Sequence, residues 1–178
     1  MKIYFEALVA VEDRRFYKHN GFDFIGSCRA VYNDIKAWEL LEGGSTIAQQ
    51  LAKNLYFPND HTLERKIAEI FMALEIEREY EKEDVLEFYV NGIYYGSGYY
   101  NIYDASMGYF GKAPSEMNDY ECTLLVGIPN APSIYSLKVN PDLAHKRQSK
   151  VLECMVELEY ISDEESEAIK EKADYSVK

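Results

Sequence analysis

Two adjacent carboxylates, Glu12 and Asp13, directly follow the apolar run 7–11. A helix through this run has one apolar face that also carries Glu12, made of Phe5, Leu8, Val9, Glu12 and Phe16. An ionised carboxylate is costly to bury, so we expect the pKa of Glu12 to rise, as a general base near neutral pH requires. The alternative is an ordinary helix end, where Glu12 turns to solvent or pairs with Arg14 or Arg15.

A second candidate segment begins at Gly43 and Gly44 and continues as a helix. The glycines allow a tight bend, and Ser45 is a good N-cap. The predicted apolar stripe is Ile47, Ala48, Leu51, Ala52 and Leu55, and the predicted polar face is Thr46, Gln49 or Gln50, and Lys53. A glycine bend with free backbone N–H groups and a lysine suits a phosphate or pyrophosphate, although the spacing is not that of a Walker P-loop. An ordinary capped amphipathic helix would have the same pattern.

The third segment, residues 62–75, is predicted to be a long helix. Its expected buried stripe is Leu63, Ile67, Ile70, Phe71 and Leu74. Arg65 and Lys66 lie off this stripe, one turn before Glu69. These charges are either a surface ion pair, worth about 0.3–0.5 kcal/mol, or a cationic pair beside a second functional carboxylate.

Composition and charge limit the possible partners. The chain has 178 residues, a net charge of −12 and three cysteines, Cys28, Cys122 and Cys154, with no metal-ligand spacing. We expect all three cysteines to be buried as small hydrophobic residues. The negative charge argues against a nucleic-acid partner. It does not argue against a pyrophosphate, because half of it lies in residues 153–178 and salt screens charges beyond about 8 Å.

The remaining pattern predicts a mostly α fold. A capping box at Asn118–Glu121, the pair Asn140-Pro141 and the run Ser162–Glu165 each indicate the start of a helix. Alternating strand patterns are scarce, and no stretch approaches 18 apolar residues. The chain is long enough for one domain, or for a domain with a small lobe.

Together these segments resemble the family 51 glycosyltransferases, the peptidoglycan polymerase domain of class A penicillin-binding proteins and of monofunctional transglycosylases. The resemblance rests on Glu-Asp-x-x-Phe-x-x-His-x-Gly at 12–21, Gly-Gly-Ser-Thr-Ile-x-Gln-Gln-Leu-x-Lys-Asn at 43–54, and Arg-Lys-x-x-Glu-Ile at 65–70. Further blocks lie at 82–96, 109–112, 127–132 and 147–152. It implies one glycosyltransferase domain over 1–178 with a lysozyme-like head lobe and a smaller membrane-proximal jaw lobe. The jaw insertion would cover roughly 22–42, and an acidic helical tail roughly 153–178.

The resemblance implies that the chain polymerises lipid II into β-1,4 glycan strands, inverting the sugar as polyprenyl pyrophosphate leaves. Glu12 would be the general base and Glu69 the second catalytic residue. Glu69 would either hold a divalent cation, Mg²⁺ or Mn²⁺, or orient Arg65 and Lys53. The implied substrate-binding residues are Asp13, Ser45, Thr46, Gln49, Gln50, Lys53, Asn54, Arg65 and Lys66.

The implied partners are lipid II, polyprenyl-pyrophosphate-linked glycan, a membrane surface contacted through the jaw, and other cell-wall enzymes. The implied location is the outer face of the bacterial cytoplasmic membrane.

Relatives carry an N-terminal membrane anchor, whereas here the first block begins at residue 12, so we expect either an excerpted domain or docking through the jaw. His61 stands where relatives often have a phosphate-binding arginine. Two alternatives are a lysozyme-like glycan hydrolase and a non-catalytic, truncated polymerase remnant that acts as a scaffold.

Overall fold

A computed structural model describes residues 1–37, 44–57 and 62–172, so that Gly43 and His61 lie outside the described residues. Every regular element within these ranges is helical. The α-helices are α1 (Lys2–Glu12), α2 (Phe24–Ala37), α3 (Ile47–Tyr56), α4 (Leu63–Glu79), α5 (Lys82–Gly92), α6 (Ile102–Phe110), α7 (Asp119–Gly127), α8 (Pro132–Tyr135), α9 (Pro141–Glu157) and α10 (Asp163–Glu171). Short 3-10 turns lie at Phe16–Lys18, Pro114–Glu116 and Ile128–Asn130. The prediction of a mostly α fold is confirmed.

The chain divides into two compact units. The middle unit is Glu12–Gly92, and the terminal unit combines Met1–Val11 with Ile93–Lys178. The predicted jaw at 22–42 falls within the sequence of the middle unit, and its role as a separate lobe stays a prediction.

In the middle unit, α3 packs against both α4 and α5. It begins with a capping box in which the Thr46 hydroxyl accepts from the Gln49 N–H, while the Gln49 side chain accepts from the Thr46 N–H. The predicted N-cap, Ser45, is therefore wrong by one residue, because the Ser45 hydroxyl accepts a hydrogen bond from Lys66 instead. The first four residues of the predicted apolar stripe are buried, but Leu55 is exposed.

Helix α4 turns its apolar stripe outward. It begins at the N-cap Thr62, and Ile67, Phe71 and Leu74 are 54%, 65% and 40% exposed. The buried side carries Glu69 and Ala73. The predicted buried stripe is therefore wrong for these three positions, because tertiary packing selected the neighbouring face, which holds a carboxylate.

The segment after α1 leaves the helix at once. The sequence predicted that Phe16 would share a helical face with Glu12. That prediction is wrong, because α1 ends at Glu12 and Phe16 is buried in the following 3-10 turn. Farther on, Gly21 has a φ of +86°, and a Cβ there would lie 2.5 Å from the carbonyl oxygen of Ala73. Only glycine fits this close approach of the chain to α4.

In the terminal unit, α7 packs against α9, and α10 contacts both. The predicted caps are present: Asn118 pairs with Glu121, and Ser162 pairs with Glu165. Buried tyrosines form a network in which the Tyr109 hydroxyl donates to the Tyr95 carbonyl at 2.8 Å.

Two further observations complete the fold. Cys122 and Cys154 are buried as predicted, whereas Cys28 on α2 is exposed, so that prediction was wrong for Cys28. Among the described residues, none of the helices combines the length and the apolar character that crossing a bilayer requires.

Candidate active site

The Glu12 carboxylate, at the last residue of α1, is held by side chains from α3 and α5. Gln50 on α3 donates from Nε2 to Glu12 Oε2 at 2.9 Å. Tyr89 on α5 donates its hydroxyl to Gln50 Oε1 at 3.0 Å. Because Glu12 is partly exposed and held at a helix end, its carboxylate is oriented and can still meet a ligand.

Asp13, next in the chain, is buried and occupied by internal partners. His19 Nε2 lies 3.0 Å from both Asp13 oxygens, and the backbone N–H of Ile47 donates to Oδ2 at 3.1 Å. The expectation that Asp13 binds substrate is therefore revised. Its carboxylate fixes the start of α3 relative to the end of α1.

Thr46 and Gln49 are also committed to the fold. The Thr46 hydroxyl donates its single proton to the Gly21 carbonyl at 2.7 Å and accepts from the Gln49 N–H. Both side chains are buried. Their expected role in substrate binding is revised for the same reason, and the choice between Gln49 and Gln50 falls on Gln50, which is partly exposed and reaches Glu12.

The second carboxylate, Glu69, is buried between two cations. Its side chain is 2% exposed, with Lys66 Nζ 3.0 Å from Oε2 and Arg65 Nε 3.2 Å from Oε1. Lys66 also donates to the Ser45 hydroxyl at 2.7 Å, which connects the start of α3 to α4. The burial of Glu69 rules out an ordinary surface ion pair.

The Arg65 guanidinium has unused hydrogen-bonding capacity. The geometry of its contact with Glu69 is that of an ion pair without a hydrogen bond, and within the described ranges the buried Arg65 Nε and Nη1 have no hydrogen-bond acceptor. A buried donor without an acceptor is unfavourable, and an anionic ligand would satisfy it. The cluster of Lys66, Arg65 and Ser45 therefore has the chemistry of an anion site.

The other expected binding residues lie farther along α3. Lys53 and Asn54 are exposed, one turn beyond Gln50, and no carboxylate in the described part of the chain pairs with the Lys53 ammonium. Arg15, by contrast, pairs with Asp23 at 3.0 Å. Burial alone would raise the pKa of Asp23, but the Gly26 N–H and Arg15 together hold it below its usual value. Arg15 is therefore structural, whereas Lys53 is available to a ligand.

The residues around Glu69 do not fit a resident divalent cation. A Mg²⁺ or Mn²⁺ site needs several oxygen ligands, whereas each Glu69 oxygen faces a cationic nitrogen. In the ranges that the structure describes, no three His, Cys, Asp or Glu residues group together as ligands. Of the two roles expected for Glu69, the geometry supports the one that orients Arg65, with Lys66 as its second partner in place of Lys53.

Three residues that hold the site were not singled out from sequence. Lys82, at the start of α5, donates to the His19 carbonyl at 2.7 Å, contacts the Glu77 carboxylate and lies 4.3 Å from the centre of the Phe16 ring. Tyr89 is the third. Lys82 and Tyr89 both fall in the block 82–96, which offered the only sequence signal for them.

Comparison with known proteins identifies the family. The family model described as Transglycosylase matches residues 2–156. The chain belongs to the transglycosylase family. The resemblance derived from the sequence motifs is thus confirmed.

Individual members of the transglycosylase family match nearly the whole chain. Penicillin-binding protein 1F of Bacillus subtilis is 45% identical over 90% of this chain and 22% of its own length. A monofunctional glycosyltransferase of Staphylococcus saprophyticus is 40% identical over 90% of this chain and 62% of its own length. A crystal structure of penicillin-binding protein 1A from Haemophilus influenzae matches 72% of this chain and 16% of its own, with 25% identity and a TM-score of 0.49. The chain spans about a quarter or less of the first curated relatives it matches.

Proposed function

We propose that this chain is a peptidoglycan glycosyltransferase that extends a glycan on polyprenyl pyrophosphate, with lipid II as the acceptor. The supporting observation is that one unit carries both a carboxylate oriented by Gln50 and a cationic cluster around Glu69. Helix α3 joins the two, since Ser45, just before its N-cap, contacts Lys66 and Gln50, at the end of its first turn, contacts Glu12. Family membership gives the reaction class.

In the proposed reaction, Glu12 acts as the general base. The 4-hydroxyl oxygen of the acceptor sugar bonds to C1 of the donor sugar while the bond from C1 to the pyrophosphate oxygen breaks. Glu12 accepts the hydroxyl proton, and pyrophosphate leaves with the electron pair. A single displacement inverts C1 from α to β, so no covalent sugar–enzyme intermediate forms.

The cations would stabilise the leaving group. Pyrophosphate is already a good leaving group, so positioned positive charge can replace a strong general acid. Arg65 and Lys66 would bind the phosphate oxygens, with Lys53 and Asn54 reaching the ligand from α3. Glu69 would hold the two α4 cations in place before the substrate arrives, since it contacts both.

Incubation with lipid II, and separately with mature glycan, tests this proposal. Chain growth on lipid II supports it, whereas shortening of mature glycan indicates a hydrolase and no change in either indicates a non-catalytic scaffold. Glu12→Gln should lower the polymerisation rate about 10²–10⁴-fold while binding of farnesyl pyrophosphate persists. Glu6→Gln is the matched control, because Glu6 lies on the same helix and forms an i,i+4 ion pair with Lys2 at 3.2 Å. Normal chain growth by Glu12→Gln would contradict the mechanism.

Glu69→Gln separates the two carboxylates. It should reduce polymerisation less than Glu12→Gln does, because it removes no proton acceptor from the reaction. It should also weaken farnesyl pyrophosphate binding and lower the melting temperature, since two cations lose their buried partner. Equal rates for wild type and Glu69→Gln would remove Glu69 from the proposed mechanism.

We also propose that the middle unit contacts a membrane surface through apolar side chains. Phe24 and Ile25 on α2 are exposed, as are Ile67 and Phe71 on α4. Exposed apolar side chains repeated along a helix are typical of contact with a protein or a membrane, and a lipid-linked substrate favours the membrane.

Sedimentation with phosphatidylcholine vesicles tests this contact. Phe71→Ser should reduce the vesicle-bound fraction, whereas Val139→Ser should not, because Val139 is a comparably exposed apolar residue of the terminal unit, 58% against 65% for Phe71. Neutral lipid is chosen because the net charge of −12 would oppose binding to anionic vesicles. Equal binding by wild type and Phe71→Ser would refute the assignment.

A further inference from the structure

The Gln50 side chain joins two groups that the sequence does not connect. Its amide nitrogen donates to Glu12 Oε2 at 2.9 Å, and its amide oxygen accepts from the Tyr89 hydroxyl at 3.0 Å. Tyr89 is buried on α5, and α5 packs directly against α3. A chain of two hydrogen bonds therefore runs from α5 to the carboxylate at the end of α1.

The two ends of an amide are chemically different, and this gives the contact a direction. An ionised carboxylate only accepts hydrogen bonds, so it needs the NH₂ end of Gln50. The amide oxygen must then find a donor elsewhere, and the Tyr89 hydroxyl supplies it. If the Gln50 amide group rotated by 180°, its oxygen would face the Glu12 carboxylate oxygen, and the two oxygens would repel each other.

We propose that Tyr89 is a positioning residue for Glu12 that acts through Gln50. The inference rests on the proposed role of Glu12 as the general base. By fixing the amide orientation, Tyr89 keeps an N–H directed at Glu12. That N–H stabilises the ionised carboxylate, the form that accepts the hydroxyl proton, and holds it in one rotamer. Tyr89 is 1% exposed, so the role assigned to it is to position Glu12 and not to contact substrate.

A double-mutant cycle in polymerisation separates this role from simple packing. Tyr89→Phe keeps the buried ring and removes only the hydroxyl, so kcat should fall about three- to tenfold with KM unchanged. Gln50→Leu should lower kcat roughly ten- to a hundredfold, because it removes a hydrogen bond to a charged group. If Tyr89 acts through Gln50, adding Tyr89→Phe to Gln50→Leu should change kcat less than about twofold.

Tyr109→Phe is the matched control. Tyr109 is equally buried, and its hydroxyl donates to the Tyr95 carbonyl at 2.8 Å and lies 3.0 Å from the Ser136 hydroxyl, in the terminal unit. It should keep the wild-type kcat although it loses a comparable hydrogen bond. The inference is overturned if Tyr89→Phe lowers kcat by the same factor with and without Gln50, or if Tyr89→Phe has the wild-type kcat.

A measurement without substrate makes the test independent of the proposed function. The side-chain amide signals of Gln50 in a ¹H–¹⁵N NMR spectrum can be identified by their absence in Gln50→Leu. Tyr89→Phe and Glu12→Gln should each shift these signals, and Tyr109→Phe should leave them in place. Unshifted signals in Tyr89→Phe overturn the inference, whereas shifted signals in a protein that does not polymerise lipid II overturn only the proposed function.

Discussion

Replacing Lys82 with methionine should cost far more stability than its single charge suggests. The Lys82 ammonium bonds the Glu77 carboxylate and the His19 carbonyl, and it lies over the Phe16 ring. The Glu77 side chain is 2% exposed and that of Lys82 is 21% exposed. Breaking a buried ion pair costs about 3–5 kcal/mol. Because Lys82 is partly solvated, we expect a loss of about 2–4 kcal/mol.

Thermal unfolding followed by circular dichroism measures this loss. For a chain of this size, the change corresponds to a melting temperature lower by roughly 5–15 °C. Lys150→Met is the control, because Lys150 pairs with Glu153 on the surface, and it should change the unfolding free energy by less than about 0.5 kcal/mol.

The double variant Lys82→Met/Glu77→Met gives the sharper test. Replacing both members of a buried pair by apolar side chains removes the stranded charge, so most of the lost stability should return. If the double variant is no more stable than Lys82→Met alone, the loss comes from the His19 and Phe16 contacts, and the reasoning from the buried charge is refuted.

Four further outcomes are expected. Lys53→Ala should weaken binding of farnesyl pyrophosphate by roughly 1.5–3 kcal/mol. Because Lys53 is exposed, the same change should alter the unfolding free energy by less than about 0.5 kcal/mol. If the variant does not fold, Lys53 is structural. Gly21→Ala should destabilise the protein by at least about 2 kcal/mol in urea unfolding, whereas Gly92→Ala, where a Cβ meets no atom within 4 Å, should be nearly neutral. Burial raises the pKa of Cys122 from 9.0 to about 11, so between these pH values the folded state keeps a proton that the unfolded state loses. The contribution of Cys122 to stability should therefore be complete below pH 9 and lost as the pH rises to about 11. Cys122→Ala should make the melting temperature fall less steeply over that range. In calorimetry without substrate, Mn²⁺ should bind wild type and Glu69→Gln equally, and weaker binding by Glu69→Gln would restore a metal role for Glu69.

The sequence predicted best the features that depend on neighbouring residues. The starts of α7 and α10 were predicted correctly, because a capping box is completed within four residues. The start of α3 was missed by one residue because Ser45 and Thr46 are both good caps. The choice depends on which hydroxyl meets Lys66, and that lysine lies 21 residues away along the chain.

The orientation of α4 could not be obtained from its own pattern. Glu69 and Ala73 define one face, while Ile67, Phe71 and Leu74 define another with the same helical spacing. Apolar periodicity usually predicts which face is buried, and here the apolar face is the exposed one. A buried carboxylate with two cationic partners replaces the expected packing, and such an arrangement is typical of a site rather than of a core.

The bonding of Asp13 could not be obtained from the sequence. Asp13 was expected to bind substrate because it stands beside Glu12. Its partners are His19, in a turn that helical spacing does not describe, and the Ile47 N–H, 34 residues away. The motif drew attention to Asp13, but the bonding of its carboxylate depends on contacts that only the folded chain provides.

The outward apolar face of α4 has a consequence for handling the protein in solution. With a net charge of −12 at pH 7, molecules repel one another, which keeps Phe71 and its neighbours from meeting the same face of another copy. Near the isoelectric point of about 4.7 that repulsion disappears, and high salt screens it at any pH. Colloidal stability should therefore be greatest in dilute buffer well above pH 4.7, and Phe71→Ser should raise the salt concentration at which the protein begins to associate.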